Sequence, residues 1–77
     1  MKDIPAIDMV ATGKNIVLMR KNAGLTVKDI QQHFGFESPQ AVYKWQRGVT
    51  MPSIENLIEL AKLLGVSVEK LVVVNKE

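Results

Sequence analysis

Apolar residues recur along this chain at intervals of three or four, the spacing that places side chains on one face of an α-helix. Ile16, Met19 and Ala23 form one such set, Ile30 and Phe34 a second, and Val42 with Trp45 a third. Ile54, Leu57, Ala61 and Leu64 form a fourth, and Val68, Leu71 and Val72 a fifth. No alternating run is long enough to demand a sheet. Only Val72-Val73-Val74 carries strong β propensity, which is compatible with an extended tail.

Helix start and stop signals divide the chain at the same places. Thr26 with Asp29 three residues on resembles a capping box, Ser38-Pro39 reads as an N-cap followed by a first-turn proline, and Ser53 and Ser67 are further N-cap candidates. Gly24, Gly35, Gly48 and Gly65 each close a helix-compatible segment. Five helices are therefore predicted, roughly 8–23, 26–34, 38–47, 53–64 and 67–73, in one domain spanning 8–73. Residues 1–7 read as a loose N-terminal arm and 74–77 as a C-terminal tail. Gly13 falls inside the first segment, where glycine costs about 0.5–1 kcal/mol against alanine. Either that helix starts later, at Thr12, or another backbone packs close to it.

The third segment has an inverted pattern. Gln40, Tyr43, Lys44 and Arg47 stand at i, i+3, i+4 and i+7, so its best-organised face is polar and basic, while Val42 and Trp45 point the other way. A solvated surface is the plain explanation. The alternative is a face that reads DNA, since glutamine can pair bidentately with adenine and lysine can reach the guanine acceptors. A Ser38 cap and Pro39 in the first turn would hold the Gln40 end rigid, with free N–H groups directed at phosphate.

Composition narrows the class. With 77 residues the chain makes one small domain, and with 47% apolar residues and no cysteine it must rely on an ordinary core without disulfides or thiolate-bound metal. Absence of cysteine fits a reducing cytoplasm. The apolar runs fall well short of the roughly 20 residues needed to span a bilayer, so no membrane association is expected. A net charge of +2 is too small to argue for nucleic acid, so the case rests on where the charges lie. His33 is the one histidine, with no cysteine and no carboxylate at ligand spacing, so neither a metal site nor a cofactor is expected. No nucleophile–base pairing or phosphate-binding glycine loop suggests an enzyme.

Asn15-Ile16, Arg20, Gly24-Leu25-Thr26, Gly35, Trp45, Gly48, Pro52-Ser53, Leu57, Leu60-Ala61, Leu64-Gly65-Val66-Ser67 and Leu71 together resemble the phage repressor and Cro-type, or xenobiotic-response-element-type, helix-turn-helix family. The resemblance runs from about Thr12 to Val72. It implies an all-α, compact five-helix lambda-repressor-like domain with a helix-turn-helix pair at about 26–47. In such a pair the second helix lies across the DNA backbone and the third enters the major groove. Carried onto this chain, Gln40, Lys44 and Tyr43 are the expected base-contacting residues, although Tyr43 could equally shield the edge of the core. Thr26, Lys28, Ser38, Arg47 and Thr50 are the expected backbone-contacting residues. Trp45 is expected in the core, and Arg20 with Gln46 resembles the family's buried arginine–glutamate pair with the acid replaced by its amide.

Three features depart from the family pattern. Val27 stands where a phosphate-touching glutamine is usual, and Gln31 stands where a small alanine lets the third helix lie close. The turn Gly35-Phe36-Glu37-Ser38 is one residue longer than the common form, which could make room for Gln31. Glu37 at the mouth of a DNA site would repel phosphate.

The expected function is a small sequence-specific regulator of transcription, a repressor, bound to double-stranded DNA. With the chain closing soon after the fifth helix, no ligand-binding domain is expected. A homodimer on two half-sites is one expectation, for which Val17 and Leu18 with Val72 to Val74 offer an apolar surface. The alternative is an antitoxin or anti-regulator that uses the same fold chiefly to hold a partner protein.

Overall fold

A computed structural model describes residues 6–75, which form five helices and one short ribbon. The helices are α1 (Met9–Asn22), α2 (Val27–Phe34), α3 (Gln40–Arg47), α4 (Ile54–Leu64) and α5 (Val68–Leu71). Two-residue strands, β1 (Ala6–Ile7) and β2 (Val74–Asn75), pair antiparallel with Ala6 opposite Asn75 and Ile7 opposite Val74. The expected arm and tail therefore meet each other at residues 6–7 and 74–75; their outer parts, 1–5 and 76–77, lie outside the described residues.

Local chemistry sets most helix ends. Asp8 accepts from the Ala11 N–H at 3.0 Å and starts α1. Thr26 and Asp29 form a reciprocal capping box at α2, with bonds of 3.0 and 2.8 Å. Ser53 and Ser67 cap α4 and α5 through the N–H groups of Asn56 and Lys70. Two helix limits differ from the sequence reading, the start of α3 and the end of α5. Helix α3 begins at Gln40 with Pro39 at its N-cap and no side-chain cap; Ser38 Oγ accepts only a long 3.4 Å bond from the Gln40 N–H. Helix α5 is a single turn, because Val72 is already extended (φ −89°, ψ 129°) and the chain leaves to pair with the N-terminus.

The core joins all five helices through Ile16, Ile30, Val42, Trp45, Leu60, Ala61, Leu64 and Leu71. Phe34 and Phe36 stack with centroids 5.4 Å apart, and Trp45 meets each of them edge-on at 5.7 Å, geometries favoured by the ring quadrupoles. Two residues assigned to apolar faces lie outside. Ile54 is 77% exposed at the first position of α4, and Ala23 is exposed as the C-cap of α1. Both stand at a helix end, where a face defined by spacing has run past the body it packs on.

Long-range hydrogen bonds close the domain. Thr12, fully buried, accepts from the Val73 N–H at 2.9 Å, and the Asp8 N–H donates to the Val73 carbonyl at 2.8 Å. Asn15 Nδ2 reaches the carbonyls of Leu71 (3.2 Å) and Lys70 (3.4 Å) at the end of α5. These bonds satisfy backbone groups that a one-turn helix leaves open.

Candidate nucleic-acid interface

Helices α2 and α3 pack against each other and are joined by residues 35–39. Gly35 ends α2 in the left-handed region (φ 72°), and the Phe36 N–H returns to the Gln31 carbonyl at 3.0 Å, which satisfies carbonyls of the last turn. The Gln31 side chain adds a bond of its own: Nε2 donates to the Phe36 carbonyl at 3.2 Å. Thus the glutamine that replaces the family's small residue reaches into the long turn, as its pairing with the extra residue suggested. Phe36 is held from both sides, by Gln31 and by its stack on Phe34.

On α3 the sequence reading and the structure agree on which face is exposed and which is buried. Gln40, Tyr43, Lys44 and Arg47 are all exposed along one face, while Val42 and Trp45 are buried on the other. Tyr43 is 42% exposed, and so is open along the stripe instead of serving only to shield the core. Without a side-chain cap or an acidic residue in its first turn, α3 leaves amide donors open at its N-terminal end.

The remaining candidates stand around this face. Ser38 is exposed just ahead of Gln40, and Thr50 is exposed two residues beyond Gly48, its N–H 3.4 Å from the Lys44 carbonyl. Thr26 and Lys28 are exposed at the start of α2. There the electrostatics are less favourable to an anion. Asp29 is held below its usual carboxylate range, first by the Thr26 N–H and then by the Thr26 hydroxyl, so it is ionised beside them.

Arg20 Nε donates to Gln46 Oε1 at 3.0 Å, and its other arm donates to the Leu25 carbonyl at 2.9 Å. The pair ties α1 to α3, as the resemblance implied. Gly13 also settles its open alternative: α1 starts at Met9, and the glycine sits where the backbone of α3 comes close. Sequence reasoning missed a polar tie at the one histidine. His33 does have a carboxylate partner, Glu59 of α4, with Nε2 and Oε2 2.8 Å apart. Because the two lie 26 residues apart, no local spacing could have signalled it.

A separate, mostly apolar groove is lined by Ile7, Leu57, Val68, Glu69, Val72 and Val74. None of these residues belongs to α2 or α3. Val17 and Leu18, which the sequence grouped with the valine tail, are not among its lining residues. No helix among the described residues is long and apolar enough to cross a membrane.

A helix-turn-helix family profile matches residues 16–71. The chain is 38% identical over 60 residues to the uncharacterized HTH-type transcriptional regulator y4dJ of Sinorhizobium fredii, covering 78% of this chain and 77% of that one. Its fold is similar to that of the restriction-modification controller protein C.AhdI from Aeromonas hydrophila, with a TM-score of 0.73, 25% identity, and coverage of 83% of this chain and 96% of that chain. The DNA-binding domain of BldD shares the fold at a TM-score of 0.70 and 23% identity, with 84% and 93% covered. With its bihelical unit, its outward polar face on the second helix of that unit and these likenesses, the chain belongs to the helix-turn-helix family of DNA-binding transcriptional regulators.

Proposed function

We propose that this chain is a sequence-specific repressor that reads the major groove of double-stranded DNA with α3. One observation carries the reading: Gln40, Tyr43, Lys44 and Arg47 share an exposed face whose opposite side, Val42 and Trp45, is buried. Packing thus holds the polar stripe outward, which direct readout needs. In this reading Gln40 lies deepest in the groove and can pair with adenine. Lys44, one turn on, reaches a neighbouring guanine or its phosphate, and Tyr43 reaches a thymine methyl or a phosphate. Thr26, Lys28, Ser38, Arg47 and Thr50 contact the sugar–phosphate backbone and set the register. Lys28 works against the ionised Asp29 beside it, and Glu37 also repels phosphate.

Repression by occupying an operator requires nothing beyond binding, and the site of action is the cytoplasm. A single module makes few base contacts, so two copies act together on half-sites about 34 Å apart. The test is unbiased selection of the purified chain against random duplexes. The expected result is one enriched motif with two-fold related halves. A chain that enriches no motif, yet is folded, overturns the reading.

A further inference from the structure

Two glycines on opposite sides of the α1–α3 contact have no room for a side chain. A Cβ on Gly13 would stand 2.4 Å from the Gln46 carbonyl oxygen and 2.6 Å from that of Trp45. A Cβ on Gly48 would stand 2.7 Å from Cα of Val10, 2.8 Å from its N and 2.9 Å from the Met9 carbonyl carbon. The obstructing atoms are all backbone, so no change of rotamer relieves them. Gly24, Gly35 and Gly65 behave differently: a Cβ there would meet nothing within 4 Å.

The arrangement is reciprocal. The last turn of α3 rests on a bare position of α1, and the residue that ends α3 rests on the first turn of α1. The N-terminal end of α3, where Gln40 stands, is tethered through the turn and the Gln31–Phe36 bond. The C-terminal end is the one placed by direct backbone contact with α1. We infer that Gly13 and Gly48 are positioning residues for the reading helix: they set how closely α3 lies on α1, and so the height and tilt at which Gln40 and Lys44 meet DNA. This rests on α3 being the reading helix, as proposed above.

The physical lever is short and stiff. Restoring an ordinary contact at Gly13 requires the end of α3 to retreat by about 1 Å, and a close-packed interior transmits such a shift. Hydrogen bonds to base edges operate in a narrow range, about 2.7–3.2 Å between heavy atoms, so a shift of that size breaks them. Non-specific attraction to phosphate, carried by the charges of long side chains such as Lys28 and Arg47, tolerates it.

Gly48 and Gly65 provide a matched pair for the test. Their backbones are nearly the same (φ 75° and 74°), so alanine brings the same conformational strain to both, while only Gly48 has a backbone in its way. Gly13→Ala, Gly48→Ala and Gly65→Ala are compared with the parent, each well below its own melting temperature. The readouts are affinity for the selected duplex, affinity for an unrelated duplex, and emission of Trp45, the single tryptophan of the chain. Gly65→Ala is expected to melt lower than the parent but to bind both duplexes like it. Gly13→Ala and Gly48→Ala are expected to lose about ten-fold or more on the selected duplex, the scale of one bidentate base contact, with non-specific affinity within about two-fold of the parent and a shifted Trp45 emission. Should Gly13→Ala fail to fold, Gly48→Ala against Gly65→Ala decides alone. A folded Gly48→Ala with parental affinity and preference overturns the inference. So does failure of both to fold while Gly65→Ala folds, since the glycines would then serve the core and not the pose. Failure of the underlying reading shows separately, as a parent that selects no motif or an unaffected Gln40→Ala variant.

Discussion

The Arg20 guanidinium and the Gln46 amide meet at 3.0 Å across the α1–α3 boundary, a cation facing a neutral acceptor. The geometry is ready for a carboxylate, which would make the bond charge-assisted and roughly twice as strong. Gln46→Glu should raise stability by about 0.5–1 kcal/mol at neutral pH, a partly exposed pair being discounted for screening. The new glutamate would have a depressed folded-state pKa. Its gain is therefore present above the unfolded value of about 4.3 and disappears as pH falls through the folded one. Thermal melts of parent and variant at pH 7 and pH 3 check this; equal gains at both would mean that the charge plays no part.

Trp45 is 4% exposed and touches both members of the Phe34–Phe36 stack. Trp45→Ala removes a buried aromatic and should cost about 3–5 kcal/mol, a large share of a small domain's stability. Circular dichroism at 37 °C should find little folded protein. A parental melting curve would place the ring outside the core.

Thr12 and Val73, 61 residues apart, test how much the closure of the termini contributes. Thr12→Val keeps the shape but leaves the Val73 N–H without its acceptor in a partly buried setting. An unsatisfied buried donor costs about 1–3 kcal/mol. The melting temperature should fall, and the Val73 amide should exchange faster than in the parent. Unchanged exchange would show that the hydroxyl is dispensable.

The His33–Glu59 pair gives α2 and α4 a pH-dependent tie. Glu59 is held below the ordinary value of 4.5, chiefly by the His33 side-chain bond; desolvation opposes this, and the charges of Lys62 and His33 add lesser downward effects. A depressed carboxylate stabilises above its unfolded pKa and loses that contribution as pH falls through the folded value. Parent stability should therefore decline more steeply than that of Glu59→Gln below about pH 4.5. Denaturant midpoints across pH 3–6 would reveal the difference, and parallel curves would refute it.

For DNA, Gln40→Ala should lose about 1–3 kcal/mol on the selected sequence and relax preference at one or two positions. Arg47→Ala should weaken all sequences alike and flatten the salt slope by about one unit, from a parental log–log slope of about −3 to −5 per half-site. Both variants should melt like the parent, because both side chains are exposed. Unchanged affinity and preference in Gln40→Ala would remove α3 from the reading role.

Much of the helical layout is legible in the sequence, because helix starts and stops are written in neighbouring residues. Thr26 with Asp29, Ser53, Ser67 and the glycines at 35, 48 and 65 act within a single turn of chain. The outward face of α3 is equally local, since a period of 3.6 residues separates Gln40 and Lys44 from Val42 and Trp45. What lay beyond reach depends on which surfaces meet. Spacing put Ile54 on a buried face, yet at the first position of α4 its side chain stands in solvent. Ser38 reads as a cap, yet the turn held by Gln31 and Phe36 delivers Pro39 to that position instead. Gly13 left two alternatives open, and only the approach of the Gln46 carbonyl chose between them. The pairing of β1 with β2 and the Thr12–Val73 bond join opposite ends of the chain. A backbone group seeks a partner wherever folding brings one, and pattern along a chain carries no record of distance through space.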